Sequence, residues 1–148
     1  MQYKGTMPEI EVRMKKSNVH RAKITQSSDL VKVMREVFDP EELETYESFY
    51  VLYLNAANKT VGWIRISQGG IQGTVVDVRL VMKAAIDCLA SGIVLAHNHP
   101  SGNLSPSQSD IALTQKLVEG ARLFDMTILD HIILTKDYHY SFANEGKL

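Results

Sequence analysis

Two histidines and an aspartate lie in the segment 97–110, which reads HNHPSGNLSPSQSD. His97 and His99 flank a single asparagine, and Asp110 ends the segment. Imidazole nitrogens and carboxylate oxygens are frequent zinc ligands, and catalytic zinc sites typically combine three such protein ligands with a water molecule. The spacing therefore predicts that His97, His99 and Asp110 hold one Zn²⁺ ion, with water as the fourth ligand.

The element before the histidines determines whether both can face the same ion. Residues 92–96 (GIVLA) are wholly apolar and predict a short buried strand that leads directly into His97. Residues two apart in an extended chain point to the same side, so His97 and His99 can share a ligand. The alternative, two loop histidines without a ligand role, is less consistent with this position.

The element after the histidines is a helix predicted from about Pro106 to Phe124. Ser105 suits its N-cap, Pro106 its first position and Gln108 the third position of a capping box. This assignment leaves Asp110 free and places it in line with an apolar stripe. The stripe consists of Leu113, Leu117, Ala121 and Phe124. A carboxylate that points into such a face is costly unless a cation compensates it. The alternative is an ordinary first-turn acid that the helix dipole favours.

The remaining elements predict one α+β or three-layer α/β domain with a mixed sheet. Helices are indicated after Ser27-Ser28-Asp29, up to Asp39-Pro40, and after Asp77, which is a plausible cap. In the second helix the predicted apolar side ends at Leu89. Further strands are predicted over 49–55, 61–67, 127–135 and 138–142, and a weaker one over 9–15.

Composition narrows the function classes. A formal net charge of -1 argues against broad electrostatic binding of nucleic acid. Cys88 is the single cysteine, which excludes an internal disulfide and a zinc site built from thiolates. The sequence shows neither a membrane-spanning run nor a secretion leader, so we expect a cytoplasmic protein.

The histidine segment resembles the JAMM signature, a glutamate followed much later by H-x-H-x(7)-S-x-x-D, of the JAB/MPN metalloprotease domain. His97, His99, Ser107 and Asp110 match this signature residue by residue. The wider context resembles the RadC-like branch of the family. It comprises GGIQGTVVDVRLVMKAAI (69–86), SGIVLAHNHPSGNLSPSQSDIALT (91–114) and LDHIIL (129–134).

The resemblance implies a cytidine-deaminase-like fold, with a curved mixed sheet and flanking helices over 28–148 after an extension over 1–27. It also implies zinc-dependent hydrolysis of a peptide or isopeptide bond, with Glu47 as the general base for a water whose pKa the zinc lowers. Glu44 is the alternative base. Ser107 would donate a hydrogen bond to the oxyanion, or would be a plain helix serine.

Other functions remain open at this stage. The family's repair-related label suggests a nucleic-acid-binding or nuclease module, and a metal-free MPN-type domain would serve only as a binding scaffold. The scaffold forms typically lose motif residues, which this chain keeps. The substrate, an unknown protein or peptide, and the oligomeric state cannot be read from the sequence. His131 is expected to be a hydrogen-bonded structural residue rather than a fourth ligand.

Overall fold

The computed structural model describes residues 21–70 and 73–148. The strand predicted over 9–15 lies outside these residues. Along the described chain the elements are α1 (Ser27–Val37), β1 (Ser48–Leu54), β2 (Thr60–Gln68), α2 (Val78–Asp87), β3 (Gly92–Asn98), α3 (Gln108–Arg122), β4 (Thr127–Leu134) and β5 (His139–Ser141). Among these residues no helix is both long and apolar enough to cross a membrane.

The strands form a mixed sheet in the order β2-β1-β3-β4-β5. β1 pairs antiparallel with β2 and β3, β3 pairs parallel with β4, and β4 pairs antiparallel with β5. The parallel pair needs a crossover connection, and α3 supplies it. The strand order places β3 at the centre of the sheet, and residues 99–107 connect its end to the start of α3.

Helices cover both faces of the sheet, because β1 and β3 are apolar on both sides. Every residue of these two strands is buried. In β1, Tyr50, Leu52 and Leu54 belong to the core that α1 completes, whereas Phe49, Val51 and Tyr53 belong to the core under α2 and α3. This arrangement confirms the prediction of an α+β fold with a mixed sheet and flanking helices.

The predicted start of α3 is wrong in detail. The helix begins at Gln108 with Ser107 as its N-cap, not at Pro106 with Ser105 as the cap. The Ser107 side chain accepts a hydrogen bond from the Asp110 amide, and the Asp110 side chain accepts one from the Ser107 amide. The amide of Ser105 instead donates to the Asn103 side chain at 2.9 Å, which forms a local turn before the helix.

Two predicted core positions are also wrong. Leu89 is 82% exposed and Phe124 is 52% exposed. Both helices end before these residues, at Asp87 and Arg122. Leu89 adopts a positive φ of 53°, which turns the chain out of the helical periodicity on which the prediction relied.

Packing of α3 on the sheet predicts unequal effects for one leucine in its C-terminal half and one directly after its end. Leu117 is 1% exposed in the core, whereas Leu123 is 84% exposed. We expect Leu117→Ala to lower the free energy of unfolding by about 2–5 kcal/mol. Leu123→Ala should change it by less than about 0.5 kcal/mol. Denaturant unfolding of both variants measures the difference, and equal losses would contradict this packing.

Candidate metal site

The two histidines meet because β3 keeps its direction to its end. His97 lies in the strand with 1% of its side chain exposed, and His99 is the first residue beyond it. The His99 amide donates to the Leu134 carbonyl at 3.0 Å, which continues the pairing with β4. The two side chains consequently face the same side, and their Nε2 atoms are 2.9 Å apart.

Asp110 enters the site from the first turn of α3. Its Oδ2 atom lies 3.3 Å from Nε2 of His97 and 3.3 Å from Nε2 of His99. The Ser107 amide donates to the same oxygen at 2.8 Å, so the capping box orients the carboxylate. Asp110 is thus both a first-turn acid and a site residue. The sequence leaves a first-turn acid and a metal ligand as alternative roles of Asp110, but one residue can fill both.

The distances among Nε2 of His97, Nε2 of His99 and Oδ2 of Asp110 fit the tetrahedral coordination of one metal ion. Zinc binds imidazole nitrogen and carboxylate oxygen at about 2.0–2.1 Å, which places neighbouring tetrahedral ligands about 3.3 Å apart. Both distances from Asp110 Oδ2 match this value, and the histidine pair at 2.9 Å is slightly closer.

Glu47 also lies beside the histidine pair, directly before β1. Its Oε1 atom is 3.8 Å from Nε2 of His99. Glu47, His97 and His99 each offer a ligand atom within 4.8 Å of one another, so this group could also hold a metal ion. Glu44, the alternative base, is exposed in the preceding turn. Of the two glutamates, the structure therefore brings Glu47 to the histidines.

The electrostatics of the site favour a positive charge. Burial would raise the pKa of Asp110, but its close contacts with the imidazoles of His97 and His99 outweigh it and hold that pKa well below its usual range. Burial would lower the pKa of His99, but its hydrogen bonds with Asp110 and with the Asn103 carbonyl raise it. Both shifts favour an ionised Asp110 and a positive charge on the His99 imidazole beside it.

Backbone contact fixes which nitrogen of His99 faces the site. Nδ1 of His99 lies 2.6 Å from the carbonyl oxygen of Asn103. A carbonyl can only accept, so Nδ1 carries the proton and donates it. Nε2 then presents its lone pair to Asp110 and Glu47, as a metal ligand must.

A buried chain of hydrogen bonds does the same for His97. The Thr114 hydroxyl donates to the Asp110 carbonyl at 2.7 Å, so it accepts from Nδ1 of His131 at 2.6 Å. Nε2 of His131 then accepts from Nδ1 of His97 at 2.7 Å. Burial lowers the pKa of His131 well below its usual value, which keeps the ring neutral and able to accept. Nε2 of His97 is therefore left with a free lone pair.

The sequence predicts part of the role of His131. Both of its ring nitrogens are engaged, by His97 and Thr114, which confirms a hydrogen-bonded structural histidine. A single imidazole in the apolar strand LDHIIL is the signal for it. Its partner Thr114 and the contacts of Asn98 have no such signal, because they depend on which elements pack together.

We expect His131→Phe to weaken metal binding about 10–100-fold, as loss of an outer hydrogen-bond partner usually does. The phenyl ring keeps the stacking on Phe142, whose centroid is 4.6 Å away, but leaves Nδ1 of His97 without its acceptor. Competition with a zinc chelator measures the affinity. His139→Phe, at an exposed histidine of β5, is the matched control. Equal affinities in the two variants would contradict the hydrogen-bond chain.

Comparison with known proteins places the chain in a family. The family model of the RadC-like JAB domain matches residues 24–147. A UPF0758 protein of Flavobacterium johnsoniae is 46% identical over 124 residues, which cover 84% of this chain and 53% of the relative. A UPF0758 protein of Fusobacterium nucleatum is 39% identical over 124 residues, with 84% and 52% covered. UPF0758 protein YfjY of Escherichia coli is 42% identical over 102 residues, with 69% and 64% covered.

The chain spans about half the length of the Flavobacterium and Fusobacterium relatives. The match extends over nearly all of the described residues, including both sides of the histidine site. The chain therefore belongs to the RadC-like JAB domain family.

Proposed function

We propose that this domain is a zinc-dependent hydrolase of peptide or isopeptide bonds. The observation that carries the proposal is the convergence of Nε2 of His97, Nε2 of His99 and Oδ2 of Asp110 at tetrahedral spacing. Glu47 lies beside them without belonging to this set. Three ligands and a neighbouring carboxylate are the parts that metal-assisted hydrolysis requires.

His97, His99 and Asp110 would hold the zinc ion. Asp110 is the better third ligand, because its oxygen is 3.3 Å from both histidines whereas Glu47 Oε1 is 3.8 Å from His99. When bound, zinc supplies Lewis acidity that lowers the pKa of a water towards about 7 and polarises the scissile carbonyl.

Glu47 is the general base in this proposal. Its side chain is 15% exposed, so it is enclosed by protein yet reachable by water. Its carboxylate would take a proton from the attacking water and return it to the nitrogen of the leaving amine.

Ser107 would stabilise the oxyanion. Its hydroxyl oxygen accepts from the Asp110 amide at 3.0 Å, which leaves its own proton free to donate. The residue is exposed at the start of α3, where a substrate can contact it. Ser107 is not a nucleophile in this proposal, because among the described residues no general base is hydrogen-bonded to its hydroxyl.

A shallow, open depression lies at the end of β2, next to the backbone partner of Glu47, Gly69, and is a candidate surface for an extended peptide. Its volume is about 590 Å³, and it is lined by Ser67, Gln68, Gly69, Gly73, Thr74 and Val75. The formal net charge of -1 gives no general attraction for nucleic acid, so a protein or peptide is the favoured partner. The presence of all the signature residues favours an enzyme over a scaffold.

The ligand assignment predicts the metal content of two variants. We expect His97→Ala and Asp110→Ala to lose stoichiometric zinc, because each removes one of three ligands. Asp137→Ala, at an exposed loop position, should retain it. Elemental analysis after dialysis measures the content. One zinc per chain in both ligand variants would exclude this site.

The base assignment predicts a different result at Glu47. We expect Glu47→Gln to keep its zinc but to lose turnover by about 10²–10⁴-fold, since the amide cannot accept the proton. Hydrolysis of ubiquitin-like fusions and isopeptide-linked peptides provides the assay, and Glu44→Gln is the matched control. Loss of turnover in the control with full activity in Glu47→Gln would transfer the role to Glu44.

A further inference from the structure

Asn98 separates the two histidines in sequence but lies on the opposite face of the sheet. Side chains alternate along β3, so Val94 and Ala96 face the core that α1 completes, and Asn98 follows them. His97 lies on the other face, stacked on Phe49. Asn98 is 1% exposed, although an asparagine amide is costly to bury without partners.

The hydrogen-bond partners of the Asn98 side chain include the residues directly before and after Glu47 in the sequence. Its Oδ1 accepts a hydrogen bond from the Ser48 amide at 2.8 Å. Its Nδ2 donates to the Tyr46 carbonyl at 2.6 Å and to the Leu43 carbonyl at 2.9 Å. The residues directly before and after Glu47 are thus held by one side-chain amide.

This amide takes the place of a backbone partner. The pairing of β1 with β3 ends at Phe49 and His97, whereas the other edge of β3 stays paired with β4 through Asn98 and the amide of His99. The Asn98 side chain accepts from the Ser48 amide and donates to the Tyr46 carbonyl. A backbone residue of a neighbouring strand would make the same pair of hydrogen bonds. On the opposite edge, Glu47 is held by Gly69 and Gly70, through hydrogen bonds of 2.8 and 3.2 Å.

We propose that Asn98 is a positioning residue for the general base, which fixes the backbone at Glu47 so that its carboxylate faces the two histidines. This inference rests on the proposed function of Glu47. One triplet at the end of β3 would then serve two purposes: its outer residues hold the metal and its middle residue aligns the base. A displacement of about 1 Å in such a group can lower a rate about 100-fold.

The test compares Asn98→Asp and Asn98→Ala with Asn58→Asp. Asn98→Asp keeps the shape and the acceptor but sets an oxygen against two carbonyls, and Asn98→Ala removes the amide without adding charge. Asn58→Asp makes the same charge change in the β1–β2 turn, at the far end of β1. Zinc content, KM and kcat are measured for each variant on a peptide fusion that the wild-type protein hydrolyses.

We expect kcat to fall about 10–100-fold in both Asn98 variants, with KM and zinc content within about twofold of wild type and no change in Asn58→Asp. In a Glu47→Gln background, Asn98→Asp should change the residual rate by less than about twofold, because Asn98 acts through Glu47. A purely structural residue would lower the rate in both backgrounds.

Several results would overturn the inference. An active wild-type protein whose Asn98 variants retain kcat overturns it alone, and so does an equal loss of rate in the Glu47→Gln background. A zinc-loaded wild-type protein that hydrolyses no peptide or isopeptide substrate overturns the proposed function and the inference together. In the wild-type protein itself, fast hydrogen exchange of the Ser48 amide would overturn the inference without any substitution.

Discussion

Three electron-rich atoms that point at one another are unfavourable unless a proton or a metal ion lies between them. Oδ2 of Asp110 and the Nε2 atoms of His97 and His99 form such a set, within 3.3 Å of one another. Neither histidine can relieve the repulsion by turning round, because the opposite nitrogen of each is tied to Asn103 or His131. The contacts with Asp110 and the Asn103 carbonyl that raise the pKa of His99 also favour a positive charge here. The rest of the site follows from this constraint.

The fold satisfies the constraint by placing the end of a central buried strand next to the start of a helix. β3 is buried on both faces, so its alternation sends His97 towards α3 and Asn98 towards the turn before β1. The capping box of α3 then brings Asp110 to the histidines. Electrostatics, strand periodicity and helix capping thus point to the same arrangement.

Much of this could be predicted from the sequence, since it depends on local patterns. The apolar runs of β1 and β3 predicted buried strands, and the structure has both of them buried over their full length. The local pattern misleads where two serines compete for the N-cap of α3. It favours Ser105, whereas Ser107 is the N-cap and forms the capping box with Asp110. It was also misleading at Leu89 and Phe124, where the helical period was continued past the helix end.

The site residues also divide into those that a local pattern indicates and those that depend on tertiary contacts. His97, His99, Ser107 and Asp110 lie within one segment, so their spacing and the family resemblance indicated them together. The choice of Glu47 over Glu44 as the base rests on the resemblance, and in the structure Oε1 of Glu47 lies 3.8 Å from Nε2 of His99. The contacts of His131 with His97 and of Asn98 with Ser48 join residues 34 and 50 positions apart. No local pattern contains such information, because it arises only when the strands are placed side by side.

X-ray absorption at the zinc edge of the untagged, zinc-loaded protein tests the central claim most directly. We expect one zinc ion per chain, bound by nitrogen and oxygen ligands at about 2.0–2.1 Å, and multiple scattering from two coordinated imidazole rings. A sulfur atom at about 2.3 Å, a shell without imidazole scattering, or the failure of the protein to retain zinc would contradict it.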